Sequence, residues 1–177
     1  MQRVQQEFGQ NLEVVWRSFL LRPHPNPEGS LEVFKKYTES WKRPGSMEEE
    51  TLFRVWSTEQ GPPSHSIPPH LAAKAAAKVN PEAFERIHAR LFEAYFSENR
   101  DITDTRVLLD LWKEVQLPIE TFEETNDPEL LQAIYSEHDE AIAFGVTGVP
   151  AVRQDGGIGV LIGAEPVETY RRLITRA

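Results

Sequence analysis

Apolar residues recur at helical spacing through the middle of this chain and give way to short alternating runs towards either end. Val4 and Phe8 share one helical face at i, i+4, and Gly9 is a natural stop. Leu12, Val14 and Trp16, with Val15 between them, mix alternation with a buried run, so Leu12–Leu21 reads as a strand. Pro23, Pro25, Pro27 and Gly29 make the next stretch a loop. From Leu31 to about Gly145 the pattern is helical. Leu31, Phe34, Tyr37, Thr38 and Trp41 form one stripe. Ser46 with Glu49 reads as a capping box for a helix carrying Leu52, Phe53, Val55 and Trp56, broken at Gly61-Pro62-Pro63. An Ala-rich helix follows over Pro68–Val79. Asn80-Pro81-Glu82 combines an N-cap, a first-turn proline and an early acid. It launches an amphipathic helix with Phe84, Ile87, Leu91, Phe92 and Tyr95. Val107, Leu108, Leu111, Trp112 and Val115 mark another helix, and Pro118–Glu124 a short one. Asp127-Pro128-Glu129 repeats the start signal ahead of Leu130, Leu131, Ile134, Ala141 and Ile142.

After Gly145 the period changes. Ala151-Val152 and Ile158–Ile162 read as strands around the turn Asp155-Gly156-Gly157, and Glu165–Ile174 as a last helix with Val167, Tyr170, Leu173 and Ile174 apolar. The order is helix, strand, a block of helices, hairpin, helix, with no internal repeat and no low-complexity tract. Val149-Pro150 is the unusual element. Proline cannot donate to a ladder and is confined to strand starts, edges and bulges. A trans proline opening an edge strand satisfies that, and so does a cis Val149-Pro150 bond. Spacing alone favours the trans form.

A chain of 177 residues can bury a sizeable core as one domain, with or without an insertion. Hydrophobic content of 40% and charged content of 27% fit a soluble globular protein. No apolar run approaches the roughly 20 residues that span a bilayer. Met1–Phe8 lacks the apolar core of a secretory signal. The expectation is a cytoplasmic protein without membrane contact. The net charge of -9 argues against nucleic acid, whose binding relies on Lys and Arg displacing counterions. The acids, such as Glu48-Glu49-Glu50, read as solvated faces.

Cysteine is absent, which removes disulfides, thiolate metal sites and Cys nucleophiles from this chain. His65 and His70 flank Pro68-Pro69 without further ligands at metal-site spacing, so no metal is expected. His70 reads as structural or exposed, and His88 and His138 as surface or boundary residues. Trp16, Trp41, Trp56 and Trp112 read as core or interdomain anchors. Gly156-Gly157 and Gly159 lie in a hairpin rather than before a helix, so no phosphate loop and no cofactor are expected. Glu123-Glu124 lacks a second carboxylate partner for acid–base work.

Four stretches together carry a resemblance: Val15–Pro23, Ser66–Lys74, Phe92–Phe96 with Asn99–Ile102, and above all Thr147-Gly148-Val149-Pro150 before the hairpin and last helix. In this order they resemble the DsbA-like branch of thioredoxin-fold proteins, which includes FrnE-type oxidoreductases and 2-hydroxychromene-2-carboxylate isomerases. The resemblance covers nearly the whole chain. It implies an α/β, thioredoxin-like core formed by residues 1–30 and 146–177, with residues 31–145 as a helical insertion and connecting helix. It also implies a cis bond at Val149-Pro150 and a backbone at Val149 offered to a bound peptide or to glutathione.

The same resemblance sets expectations about what is missing. The family carries Cys-x-x-Cys at a helix N-terminus, where dipole and free N–H groups depress the thiol pKa. A first strand precedes that helix and lies at the centre of the sheet. This sequence reads as lacking both, along with the serine that orients glutathione in the isomerases. Three outcomes are expected to be open: a late start of the chain, a homodimer that covers the gap, or closure of the remaining strands. The expected site is Thr147, Gly148, Val149 and Pro150, with no catalytic residue. The expected function is that of a redox-inactive relative of thiol–disulfide oxidoreductases. A peptide- or glutathione-binding module and a degenerate structural or dimerisation domain are the alternatives.

Overall fold

The structure is a computed structural model that describes residues 2–26, 29–42 and 52–175. It is mostly helical with a small sheet, an α/β arrangement as expected. Among the described residues seven α-helices run in order: α1 Gln2–Phe8, α2 Leu31–Thr38, α3 Ile67–Val79, α4 Pro81–Phe96, α5 Thr105–Glu114, α6 Pro128–Ala143 and α7 Val167–Thr175. Among the described residues the sheet has two strands, β1 Ala151–Arg153 and β2 Val160–Ile162. They pair antiparallel, with Ala151 opposite Ile162, Val152 opposite Leu161 and Arg153 opposite Val160. The chain divides into two compact units, one of Met1–Phe19 with Ile134–Ala177 and one of Leu20–Ala133.

In the second unit the helical start signals act as read. The Asn80 side chain accepts from the Ala83 N–H at 2.7 Å, and Pro81 occupies the first turn of α4. Ala72, Ala73, Ala75 and Ala76 of α3 are buried against Ala83, Ile87, Leu91 and Ala94 of α4. Alanine on both faces lets the backbones approach closely. Leu108, Leu111 and Trp112 of α5 complete this core, and Trp112 Nε1 donates to the Pro118 carbonyl at 2.9 Å. A second cluster gathers Phe34, Trp41 and Trp56, with Phe53 and Tyr95 packed edge to face on Trp41 and Phe96 tilted against it.

Two predicted elements differ in the structure. Residues 52–57 are not helical, and the capping box Ser46/Glu49 lies outside the described residues. The segment is instead sewn to its surroundings: Arg54 N–H donates to the Phe96 carbonyl at 2.8 Å, Trp56 N–H to Thr38 Oγ1 at 3.0 Å and Ser57 N–H to Asn99 Oδ1 at 2.9 Å. Its helix-like apolar spacing arises because Phe53 and Trp56 both enter the aromatic cluster. Leu12–Leu21 likewise forms no strand. The backbone leaves Leu12 extended, at φ -131° and ψ 117°. A strand needs a ladder partner, and neither β1 nor β2 pairs with this segment. Within the first unit it is held by Glu137 of α6, whose carboxylate accepts from Ser18 N–H at 2.8 Å, and by the Phe19 ring against His138 at 5.1 Å. Trp41, Trp56 and Trp112 are buried as expected, but Trp16 stays 37% exposed because its segment packs in no sheet.

Asn99 joins several of these threads. It is 2% exposed and has φ 56°. Its Oδ1 accepts from Ser57, its Nδ2 donates to the Arg54 carbonyl, and its own carbonyl accepts from Thr58 Oγ1 at 2.8 Å. Asn99→Ala removes the acceptor and leaves a residue that tolerates positive φ poorly, so it is expected to cost about 2–3 kcal/mol in urea unfolding. Asn99→Gly loses the same side-chain bonds but no backbone preference, and is expected to recover about 1 kcal/mol of that loss. Equal destabilisation by both variants would show that the left-handed backbone is not a constraint.

His88 stacks on Phe84 at 5.3 Å and meets Phe92 edge-on at 4.9 Å. Burial lowers its pKa below the ordinary value of 6.5, opposed by Glu85 and aided by His70; burial also lowers that of His65, against the pull of Asp101. The folded state therefore binds fewer protons than the unfolded chain. Stability is full above pH 6.5 and declines as pH falls below it, until the depressed folded pKa is passed. The urea midpoint is expected to drop between pH 7 and 5, and His88→Leu to flatten that drop. An unchanged slope in His88→Leu would assign the effect elsewhere.

Candidate functional site

The loop after α6 is built by the way that helix stops. Gly145 N–H donates to the Ile142 carbonyl at 2.9 Å, and Val146 N–H to the Ala141 carbonyl at 3.0 Å. This pair of bonds is a Schellman cap, and its C′ position needs a left-handed backbone. Gly145 supplies it at φ 81°. Val146, which follows, is buried at 8% exposed. Val149 is 50% exposed, and Thr147 and Pro150 are exposed too.

The Val149–Pro150 peptide bond is cis. The Pro150 carbonyl accepts from Gly163 N–H at 2.8 Å, which fastens the loop's end to the residue after β2. Among the described residues neither the N–H nor the carbonyl of Val149 takes a hydrogen bond. The four predicted site residues thus form one continuous segment leading into β1, exposed at Thr147, Val149 and Pro150 and half-buried at Gly148. Beside it, the Arg153 guanidinium sits over the Phe144 ring, 3.8 Å from its centroid, and donates to the Gly157 carbonyl at 2.9 Å. The sequence reading did not single out this pair. The loop therefore offers backbone hydrogen bonding and an apolar side chain. It holds no nucleophile and no acid–base group.

A cleft of about 330 Å³ lies between the hairpin and α7, lined by Gln154, Leu161, Thr169, Arg172 and Leu173. The sequence reading missed it as well. Its only sequence signal is the i, i+3, i+4 spacing of Thr169, Arg172 and Leu173. None of the four loop residues lines it.

The histidines gather elsewhere. His65 Nδ1 lies 2.8 Å from Ser64 Oγ, and His70 Nδ1 lies 2.7 Å from the Ser66 carbonyl. Asp101 Oδ1 accepts from Thr103 Oγ1 at 2.6 Å and not from the imidazole. A carboxylate placed there does not orient His65 as a general base, so the Ser64–His65 pair lacks the logic of a catalytic triad. Among the described residues no group of three or more His, Asp and Glu side chains is placed to hold a metal ion.

The DSBA-like thioredoxin domain matches residues 1–175. A search of curated proteins returns no significant sequence match. Among solved structures, the cytosolic disulfide reductase DsbM from Pseudomonas aeruginosa superposes with a TM-score of 0.71 at 21% identity, over 96% of this chain and 82% of its own. The same reductase with GSH gives 0.73 at 18% identity, over 96% and 82%. A protein from Nitrosomonas europaea, provisionally described as a protein disulfide isomerase, gives 0.71 at 17% identity, over 99% and 86%. At these identities the structural likeness concerns the fold. The family match spans nearly every residue, and the chain belongs to the DSBA-like thioredoxin domain family.

Proposed function

We propose that this chain is a redox-inactive member of its family that keeps a binding role at Thr147–Pro150, for an extended peptide or for glutathione. Thiol–disulfide exchange proceeds by attack of a thiolate, and this chain has no cysteine to supply one. The observation that carries the binding half is Val149: an exposed residue with both backbone hydrogen-bonding groups unused among the described residues, at the head of β1. An extended backbone can pair with such a residue by strand addition. The structural neighbour solved with GSH supports glutathione as one ligand. The FrnE-type branch and a cytoplasmic location belong to the same proposal. The latter is supported by the cytosolic neighbour and by the absence of a membrane-crossing helix among the described residues.

Two measurements test this reading. In an insulin-reduction assay with dithiothreitol, the purified protein is expected to leave the rate at the protein-free baseline; reproducible acceleration would sink the inactive assignment. In an amide-resolved NMR titration with reduced glutathione, the Gly148 and Val149 signals are expected to move in a saturable way. Signals that stay still at millimolar glutathione, and with extended peptides, would remove the binding role.

A further inference from the structure

We propose that Arg22, Tyr37 and Tyr95 form a binding site for a tetrahedral oxyanion, the phosphate group of a small organic phosphate monoester. All three belong to the compact unit of Leu20–Ala133, whereas the Thr147–Pro150 loop and the sheet belong to the other. The site does not rest on the function proposed for that loop. Arg22 is held from several directions. Its N–H donates to Ser66 Oγ at 3.0 Å, and its carbonyl accepts from Ser66 N–H at 2.8 Å. Its Nη1 donates to the Pro63 carbonyl at 3.2 Å, and the guanidinium lies over the Phe34 ring, 5.8 Å from the centroid. These contacts fix the cation without neutralising it. Among the described residues Arg22 forms no ion pair, and it is exposed. Its Nε and Nη2 are left to present the two parallel N–H bonds that an oxyanion accepts as a fork.

Two tyrosines stand on the same aromatic cluster. Phe34 stacks with Tyr37 at 6.1 Å and meets Trp56 edge-on at 5.0 Å, and Trp56 contacts Tyr95 at 5.8 Å. Neither tyrosine hydroxyl has a hydrogen-bond partner among the described residues. Tyr95 is half-buried, where a tyrosine hydroxyl usually finds a partner. That hydroxyl is within electrostatic reach of Arg22 and Tyr37. Burial pushes its pKa up to about 12, against the pull of Arg22 and with the help of Tyr37, so it stays a donor at neutral pH. No carboxylate is among the groups that act on it, although the chain carries a net charge of -9.

The donors select the ligand. A carboxylate has two oxygens, and the arginine fork takes both. A phosphate has further oxygens for the two hydroxyls. Val33 lies one turn before Tyr37 on the same face of α2 and is 68% exposed, so the carbon group of an ester finds an apolar neighbour.

NMR titrations at constant ionic strength test the site, read at the Arg22 Nε–H and Tyr95 amide signals. The probes are phenyl phosphate, inorganic phosphate and acetate. Phenyl phosphate is expected to saturate both signals in the millimolar range, more tightly than inorganic phosphate and about fivefold or more tighter than acetate. Tyr95→Phe keeps the ring in the cluster and is expected to weaken phenyl phosphate about tenfold. Tyr37→Phe, on an exposed ring, is expected to weaken it about threefold, and Arg22→Met to abolish saturation at Tyr95. Near-UV circular dichroism checks that the aromatic cluster is intact in each variant. The absence of saturation by either phosphate would overturn the site. Affinity unchanged in both tyrosine variants would reduce it to an adventitious contact with a lone arginine. Acetate binding as tightly as the phosphates would refute the tetrahedral class, and phenyl phosphate binding no tighter than inorganic phosphate would refute the organic ester.

Discussion

Backbone hydrogen bonding decides how this chain is held together. Every N–H and carbonyl removed from water needs a partner, and in a helix that partner is always four residues away. Outside the helices it must come from elsewhere. Glu137 supplies it to Ser18, Thr38 to Trp56, and Asn99 to Ser57. Gln60 Oε1 supplies it to Asp101 N–H at 2.9 Å. These polar side chains stand where a strand or a helix would otherwise provide the bond. β1 meets the same constraint through β2, where Val152 stands opposite Leu161 and the Pro150 carbonyl accepts from Gly163 N–H.

The helical unit solves the problem locally, and its packing follows directly. Alanines on α3 and α4 bring the helices close, so Ile87, Leu111 and Trp112 reach zero or near-zero exposure. The aromatic cluster around Trp41 and Trp56 fixes a non-helical segment by shape and edge-to-face contacts rather than by periodicity. Residues at special backbone angles mark the joints. Asn99 at φ 56° and Gln116 at φ 57° end α4 and α5, as Gly145 ends α6. At the end of α5 the Gln116 N–H donates to the Lys113 carbonyl and the Leu117 N–H to the Trp112 carbonyl, which repeats the Schellman pattern without glycine.

Function separates along the same line. Thiol chemistry needs a nucleophile, and composition alone removes it from this chain. Recognition of an extended backbone needs only exposed N–H and carbonyl groups at strand spacing. Val149 has both of these groups unused among the described residues. A missing thiol and an available backbone are chemically independent features.

Much of this was legible in the sequence. The caps at Asn80 and Asp127, the amphipathic stripe of α4, the Gly156 turn and the Thr147–Pro150 loop all depend on residues close together in the chain. Local sterics and local hydrogen bonds are encoded by local composition. What failed to read correctly depends on distant partners. Leu12–Leu21 has strand composition, but a strand exists only when another strand lies beside it. Residues 52–57 have helical spacing, but Phe96, Thr38 and Asn99 claim their backbone bonds first. The Arg153–Phe144 contact and the cleft beneath Leu161 likewise join residues that no periodicity relates. By itself the sequence determined most of the helices, the missing thiol and the place of the Val149-Pro150 step. Only the tertiary structure decided that Val152 meets Leu161 and that Leu12–Leu21 finds no ladder partner among the described residues, because pairing is a property of two strands and not of either alone.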